Sequence, residues 1–244
     1  MRKLLIYLLL ILISGISCLG IHQDWSGIGN TLHTVLLING TGTTFTDVSN
    51  GGTESAITVA GDTTWSSGQQ RYGTDTIYFD NAGDWLQLAD NDKFALGNVW
   101  TFSVWIYPLT IVDSDAIFSQ RVDWSNIAYF TPNGTSGDWR FYVSSGGVYN
   151  FQAKTSGDLC PANEWAHLEF ASDGNKGYAF KNGIPLSGEP YTYANNGNWP
   201  NLAADMFIGS RDGTVEYNGY IAEMVFTKGR VLHTRKFDVP NRNN

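Results

Sequence analysis

The sequence predicts an all-β protein, an antiparallel β-sandwich of two sheets, and three observations lead to this prediction. Large apolar residues alternate with small or polar residues from Trp100 to Pro108 and on both sides of a turn at residues 81–84. A period of two is typical of strands with one buried face. Asn-Gly, Asp-Gly and Gly-Gly pairs separate these segments, and they accept the positive φ that tight hairpins need. No helical period of apolar residues follows residue 20.

The predicted strands follow one another at short intervals, which is the spacing of a sandwich or jelly roll. The clearest hairpin turns at Asn182-Gly183, because this pair favours a two-residue turn. In chain order, the predicted strands are Thr34–Ile38, Ile57–Ala60, Thr76–Phe79, Trp85–Leu88, Trp100–Tyr107, Ala116–Ser119, Asn126–Phe130, Trp139–Ser144, Val148–Ala153, Trp165–Ala171, Gly177–Lys181, Asp205–Gly209 and Tyr220–Thr227.

Residues 1–18 predict a segment that directs export and is not part of the fold. Arg2 and Lys3 precede an apolar run from Leu4 to Ile16, followed by small residues, as in a secretory signal peptide. The run is shorter than the roughly 20 residues that cross a bilayer. The alternatives are a retained membrane anchor and a lipid anchor at Cys18. The sequence therefore predicts a secreted or cell-surface protein that touches a membrane only through this segment.

The rest of the chain has no break in composition and predicts a single domain. Residues 19–30 form a lead-in, residues 31–240 the domain and residues 241–244 a tail. The chain has two cysteines, Cys18 and Cys160, so the domain without its leader contains no disulfide. A chain of this size can bury roughly 70% of its unfolded surface, and one apolar core can hold it together. We expect Cys160 to be a small buried apolar residue.

The charge of the chain argues against nucleic acid as a partner. The chain has 23 acidic and 15 basic residues, for a formal net charge of −8. Loss of Arg2 and Lys3 with the leader would remove two more positive charges. An acidic domain repels phosphate backbones, whereas it tolerates divalent cations.

Several sequence blocks, in a fixed order over about residues 34–240, resemble the laminin-G-like, concanavalin-A-like jelly-roll family, in particular its bacterial and phage branch. The resemblance implies a two-sheet jelly roll. It leaves the function open, because this fold hosts lectins, adhesion modules, glycanases and capsid or tail parts. The blocks are Leu36–Gly40 with Thr44–Asp47, Tyr72-Gly73 with Ile77–Asp80, Gly83–Leu86, Trp100–Ile106, Glu164–Leu168, Phe207–Ser210 and Asn218–Glu223.

The acidic residues do not form the pattern that glycoside hydrolysis needs, which is two carboxylates about 5–10 Å apart on one face. Glu164 and Glu169 are five residues apart, so they point to opposite faces of a regular strand. Glu223 has no acidic neighbour two residues away. We expect His167 to be a packed side chain and not a general base. The sequence therefore predicts no catalytic activity, with a glycanase as a weak alternative.

The resemblance implies a possible Ca²⁺ site at an edge of the sandwich, since many family members hold one calcium there. Calcium prefers carboxylate and carbonyl oxygens, and Asp47 and Asp80 are the first candidate ligands. Ala222 stands where relatives often carry an acidic residue, which removes one ligand. The alternative is that these aspartates cap turns through their own backbone.

Aromatic residues in loop-like sequence are the candidates for ligand binding. Trp124 follows Asp123 between two predicted strands, and Trp199 follows an Asn-rich stretch that Tyr191 and Tyr193 precede. An exposed aromatic ring stacks on the apolar face of a sugar while Asn and Asp bind its hydroxyls. The alternative is that these rings fold back over the open end of the core.

These observations together predict an exported, non-catalytic module that binds glycans or other components of a cell surface or matrix. The alternative is a structural or assembly subunit of an extracellular filament, sheath or virion. In that case, copies of the chain would pack against one another through aromatic residues or an edge strand.

Overall fold

The computed structural model describes residues 32–49, 54–156, 160–188, 191 and 193–239, and these residues form mainly β-strands. Two short 3₁₀ turns lie at Asp92–Phe94 and Ala194–Gly197. The strands are β1 (Thr34–Thr41), β2 (Thr44–Asp47), β3 (Ile57–Ala60), β4 (Thr64–Arg71), β5 (Thr74–Asp80), β6 (Trp85–Leu88), β7 (Val99–Pro108), β8 (Phe118–Asp123), β9 (Asn126–Pro132), β10 (Trp139–Ser145), β11 (Val148–Lys154), β12 (Ala166–Asp173), β13 (Gly177–Lys181), β14 (Ile184–Pro185), β15 (Met206–Ile208) and β16 (Asn218–Lys228).

The strands form two antiparallel sheets that pack face to face, which confirms the predicted sandwich. The large sheet has the order β14-β13-β12-β7-β16-β1-β2, and β5 pairs with β16 and with β4. The small sheet has the order β11-β10-β9-β8-β15-β6-β3. The order is non-sequential because strands close in sequence alternate between the two layers, as in a jelly roll.

Most strands lie where the alternation predicts them, and three agree to the residue, namely β3, β6 and β13. Strand β8 begins at Phe118, two residues after the predicted start, and runs to Asp123. The predicted strands did not include β2 and β4, whereas the pairing of β13 with β14 confirms the hairpin predicted at Asn182-Gly183. Strand β4 has the sequence TWSSGQQR, and all of its residues are half-buried or exposed. It lies at an edge of the sheet, where one-sided burial is weak and no apolar alternation develops.

The core lies between the sheets and is built from the inward-facing aromatic residues of both layers. Phe102 on β7 packs against Phe118 and Phe141 of the small sheet, with ring centroids 5.8 and 5.3 Å apart. These side chains are fully buried, and burial of each contributes about 1.5–3 kcal/mol to folding. Cys160 is also buried, as predicted.

The outer face of the large sheet carries polar side chains that the C-terminal segment covers. Ser103 Oγ and His167 Nε2 lie 2.8 Å apart, and burial lowers the pKa of His167 to about 3. His167 is therefore a neutral packed residue, as predicted. Glu169 is buried beside it, where desolvation raises its pKa, and His233 Nδ1 lies 2.9 Å from its carboxylate. In the described part of the chain, no helix has the length and apolar character to cross a membrane.

Candidate functional site

The turn between β8 and β9 presents Trp124 to solvent, and 58% of this residue is exposed. The carboxylate of Asp123 accepts hydrogen bonds from the backbone N–H groups of Ser125 and Asn126, at 2.7 and 2.9 Å. Such bonds fix a tight turn, and here they hold the intervening indole outward. The side-chain amide of Asn126, together with these backbone bonds, lowers the pKa of Asp123. Trp124 is exposed as predicted, whereas Asp123 has a structural role in the turn.

A second turn, between β10 and β11, is hydrogen-bonded to the first. The N–H of Gly147 donates to Ser125 O, and the N–H of Gly146 donates to Asn126 Oδ1, both at 3.0 Å. The hydroxyl of Ser144 donates to Ser125 O as well, at 3.1 Å. Because the two turns brace each other, their side chains form one continuous edge. Its exposed apolar residues are Val122, Trp124, Val148 and Tyr149.

Two arginines flank the indole ring of Trp124. The guanidinium carbon of Arg121 lies 4.9 Å from the ring centroid, and that of Arg211 lies 5.5 Å away. Both arginines pair with one carboxylate, that of Asp212. Partial burial raises the pKa of Asp212, but hydrogen bonds from Thr214 and Arg121, with the charges of both arginines, hold it below its ordinary value.

Tyrosines of the small sheet form the floor behind Trp124. The rings of Trp124 and Tyr129 meet edge to face at 6.3 Å, and Tyr142 continues the row to Tyr149. The hydroxyl of Tyr129 donates to Ser114 O at 2.6 Å, and burial raises its pKa to about 12. We call this surface the Trp124 face, and it consists of Arg121, Trp124, Tyr129, Tyr142, Tyr149 and Arg211.

Trp199 does not belong to this face, and its prediction as an exposed binding residue is wrong. It is fully buried, and its ring packs against Trp100, Phe118 and Phe141 with centroids 5.3 to 5.9 Å apart. Its backbone N–H donates to Gly97 O at 2.8 Å, which draws the loop onto the sandwich. The alternative stated above, a ring that folds back over the core, is therefore correct for Trp199.

Tyr191 and Tyr193 lie together, but they are separate from Trp124. The Tyr193 ring packs against Phe151 at 4.8 Å, and its hydroxyl donates to Gln152 O at 2.6 Å. Burial raises the pKa of Tyr193 above its ordinary value. Tyr191 is hydrogen-bonded through its backbone to Gly177 on β13. Both side chains are only half-buried, but they close the edge of the sandwich beside β11.

Asp47 is not placed to bind calcium, which corrects the first metal prediction. Its buried carboxylate pairs with the ammonium group of Lys93. The N–H groups of Ser49 and Ser55 donate to its two oxygens, each at 3.0 Å. Burial alone would raise the pKa of Asp47, but these bonds outweigh it and lower the pKa. A cation already occupies the position that a metal would need.

Asp80 lies in a cluster with Asp62 and Asp84, whose carboxylate oxygens are within 4.8 Å of one another. The buried carboxylate of Asp84 accepts the N–H groups of Asp62 at 2.8 Å and Asp80 at 2.9 Å. Desolvation raises the pKa of Asp84. Each carboxylate oxygen carries a further lone pair, so this donor set fits a hard cation such as Ca²⁺. The carboxylate of Asp47 does not fit a metal ion, because the Lys93 ammonium group and two backbone N–H groups already bind its oxygens.

The sequence analysis missed most residues of the Trp124 face. Arg121 and Trp124 are near neighbours in the chain, but Arg211 and Asp212 reach the same place from the loop after β15. A sequence signal existed for two of the tyrosines, because Tyr142 precedes and Tyr149 follows the Gly-Gly hairpin turn at residues 146–147. For Arg211 no local signal existed, since only the pairing of β8 with β15 brings it there.

Comparison with known proteins gives a family and a set of similar folds. Residues 80–232 match the Laminin_G_3 family model, described as the concanavalin A-like lectin/glucanases superfamily. No curated protein matches the chain.

Three solved structures illustrate the similarity, and at their low identities they show the fold alone. The first is domain 4 of AbnA, a GH43 extracellular arabinanase from Geobacillus stearothermophilus, in complex with arabinotriose. It is 17% identical with a TM-score of 0.57, and the match covers 75% of this chain and 86% of the arabinanase domain. The binding domain of botulinum neurotoxin serotype D is 12% identical (TM-score 0.59; 82% and 49% covered). Botulinum neurotoxin type C, whose cell entry depends on interaction with two ganglioside molecules, is 11% identical (TM-score 0.59; 86% and 50% covered). The chain thus spans about half the length of the two toxin chains.

Proposed function

Because the chain belongs to the concanavalin A-like lectin/glucanases superfamily, we propose that it is a non-catalytic module that binds a saccharide of a cell surface or matrix on the Trp124 face. The observation that carries this proposal is the 58% exposure of Trp124 on a turn braced by a second turn. A large aromatic ring held in solvent costs hydration free energy, and a stacked ligand would recover it.

The physical basis is a pre-formed platform. The two hydrogen-bonded turns fix the indole, so little side-chain entropy is lost when a sugar ring stacks on it. Polar groups surround the ring, including the guanidinium groups of Arg121 and Arg211, and they can hydrogen-bond to hydroxyl groups at the sugar edge. The arabinotriose bound by the arabinanase domain and the gangliosides named for the type C toxin support a saccharide as the class of ligand.

The experiment is a glycan array followed by affinity measurements on the ligands found. Trp124→Ala should abolish binding or weaken it about 5-fold or more, since loss of a stacking ring removes on the order of 1–3 kcal/mol. The matched control is Ile184→Ala, which truncates a 56% exposed apolar residue on the opposite sheet. Binding retained in Trp124→Ala, or lost equally in both variants, would contradict the proposal.

We propose a binding role without catalysis because the buried acid of the large sheet is already engaged. Glu169 is fully buried and faces His233, so it is not available to a substrate. We also propose that the domain acts outside the cell, on the basis of the signal-like residues 1–18. Those residues lie outside the described part of the chain. Mass spectrometry of the native N-terminus tests this by distinguishing cleavage, lipidation at Cys18 and retention.

A second candidate function is assembly through the same edge. Val122, Val148 and Tyr149 expose 45–50% of their surface beside Trp124, and such a contiguous patch also suits a second copy of the chain. Sedimentation at high concentration separates the two functions. A dimer that Trp124→Ala dissociates would favour assembly, whereas a monomer that binds saccharide would exclude it.

We further propose that Asp62, Asp80 and Asp84 hold Ca²⁺. The ion would join the turn between β3 and β4 to the turn between β5 and β6, because Asp84 already joins the backbone of Asp62 to that of Asp80. Support comes from the convergence of three carboxylates on one point.

A further inference from the structure

We infer that the Trp124 face takes an anionic saccharide, and that Arg121 and Arg211 hold its carboxylate or sulfate group beside the stacked sugar ring. The inference rests on the proposed function, since it names the class of ligand for that same face. It is carried by the position of two guanidinium groups around one exposed indole.

The local charge of this face is opposite to that of the whole chain. The chain has a formal net charge of −8, yet three arginines lie on the outer side of the small sheet around Trp124 and Tyr142. The guanidinium carbon of Arg140 lies 4.8 Å from the centroid of the Tyr142 ring. Lys154 on β11 stands directly opposite Arg140 in the β10–β11 pairing. Arg121 and Arg211 pair with Asp212, and the carboxylate of Asp123 is hydrogen-bonded within its own turn. A positive patch in an acidic protein marks the place where an anion is attracted and not repelled.

The two arginines retain donors for a ligand. Each guanidinium has five N–H donors, and Arg121 and Arg211 share the single carboxylate of Asp212. Arg211 gives one further hydrogen bond, to Thr214 Oγ1 at 3.2 Å. Their side chains are 23% and 21% exposed, so both reach the surface while Asp212 fixes their direction. A planar fork held in this way matches a carboxylate or sulfate group in two-point contact.

The position of the arginines relative to the ring selects a saccharide over a free anion. Both guanidinium groups lie about 5 Å from the indole centroid. Because the guanidinium groups lie over the indole ring itself, a saccharide that packs against the exposed part of Trp124 lies beside them. A neutral sugar would use the ring but leave the charged groups to lose water without an ionic partner. A dense polyanion would also meet the negative charge of the chain, which is −8 overall. The ligand that fits both constraints is a saccharide with isolated anionic groups.

The experiment compares oligosaccharides that differ only in charge, using the whole protein and calorimetric or NMR titration. Trigalacturonate against its methyl ester tests a carboxylate, and 3′-sulfolactose against lactose tests a sulfate. The wild type should bind the charged member of at least one pair about 10-fold more tightly or better, since charge-assisted hydrogen bonds are roughly twice as strong as neutral ones. The pair that shows the difference identifies the anionic group.

Variants then locate the effect. Arg121→Gln with Arg211→Gln should remove the preference for the charged member and leave the weak binding of the neutral one. Arg121→Lys with Arg211→Lys keeps the charge but loses the fork, so it should recover only part of the preference. Arg235→Gln with Lys236→Gln is the matched control, because it removes the same charge from exposed residues of the C-terminal segment. This control should bind like the wild type.

Two results would overturn the inference while leaving the proposed function intact. One is equal binding of charged and neutral members that Trp124→Ala abolishes. The other is a preference for the charged member that the control variant loses as completely as the arginine variant. That result would indicate that the overall charge of the protein, and not the two arginines, attracts the anion. If neither member of any pair binds, and the glycan array also finds no ligand, the proposed function itself fails. Circular dichroism and melting of each variant exclude loss of folding as the cause.

Discussion

The indole rings of Trp100 and Trp199 meet at 86°, with their centroids 5.3 Å apart, at one end of the sandwich core. Trp100 comes from the long central strand β7, and Trp199 comes from a loop rich in Asn and Gly. The N–H of the Trp100 indole donates to Gly197 O in that same loop at 2.9 Å. The strand thus holds the loop, and the loop closes the core.

We expect Trp199→Ala to destabilise the fold by about 3–5 kcal/mol, since it leaves a large cavity among aromatic rings. Trp124→Ala should change the free energy of unfolding by less than about 0.5 kcal/mol, because its ring lies in solvent. Urea denaturation of both variants measures the difference. Similar losses for the two tryptophans would show that Trp199 is not part of the core.

The buried pair of Asp47 and Lys93 should be costly to break from one side. Lys93→Met leaves the carboxylate buried without its cation and should cost about 3–5 kcal/mol. Asp47→Asn in the same chain should recover part of that loss, because the remaining group is neutral. A double-mutant cycle by urea denaturation gives the coupling, and additive effects would contradict the expected pairing.

Acid should weaken the wild type through the same residue. The pKa of Asp47 in the folded state is lower than in the unfolded state, so its stabilisation is present above its ordinary pKa near 4 and is lost as the pH falls below it. The variant that carries both Lys93→Met and Asp47→Asn should not lose this stabilisation at low pH, because it lacks the carboxylate. Denaturation at pH 3 and pH 6 checks the sign.

Asp115 should show the opposite dependence on pH. It is buried, and desolvation, with the charges of Asp113 and Glu216, raises its pKa to about 6. The folded state therefore holds the proton more tightly than the unfolded state, and stability falls as the pH rises from about 4 to about 6. Asp115→Asn should be more stable than the wild type at pH 8 by about 1–2 kcal/mol, and little different at pH 4.

The control for this prediction is Asp90→Asn, which neutralises an exposed carboxylate. It should change stability by less than about 0.5 kcal/mol at either pH. An Asp115→Asn variant with the same difference from wild type at pH 4 and pH 8 would show that the carboxyl does not titrate in this interval.

Calcium should raise the melting temperature if Asp62, Asp80 and Asp84 hold it. At a free concentration 100 times the dissociation constant, a ligand bound only by the folded state adds about 2.7 kcal/mol. Asp80→Asn should remove the effect, whereas Asp75→Asn, an exposed carboxylate on the same strand, should keep it. A rise that Asp80→Asn retains, or no rise at millimolar calcium, would contradict this site.

Local alternation was a good guide to the strands, because each strand buries one face against the other sheet. Strand β7 alternates over its whole length and was found, whereas β4 was missed because it lies at an edge and packs weakly. His167 was expected to be a packed residue because it lies on a predicted strand, but its burial on the outer face depends on the C-terminal segment, where Phe237 contacts it. Alternation carries no information on which strands become neighbours, and the order of both sheets came only from the structure.

The two loop tryptophans show where sequence reasoning stops. Trp124 and Trp199 both stand among Ser, Asn and Asp or Gly, and nothing local distinguishes them. Asp123 bonds to its own turn and holds one indole outward, whereas a backbone contact with Gly97 draws the other inward. Asp47 and Asp80 also look alike in the sequence, but Lys93 pairs with Asp47, whereas two further carboxylates lie beside Asp80.

By itself, the sequence determined the class of the fold, the position of most strands and the resemblance to a family, because each depends on residues near one another in the chain. Only the tertiary structure decided which tryptophan faces solvent, which aspartates cluster and which arginines surround Trp124. These depend on pairing between strands far apart in sequence, and the free energy of that pairing comes from a core that no single segment contains.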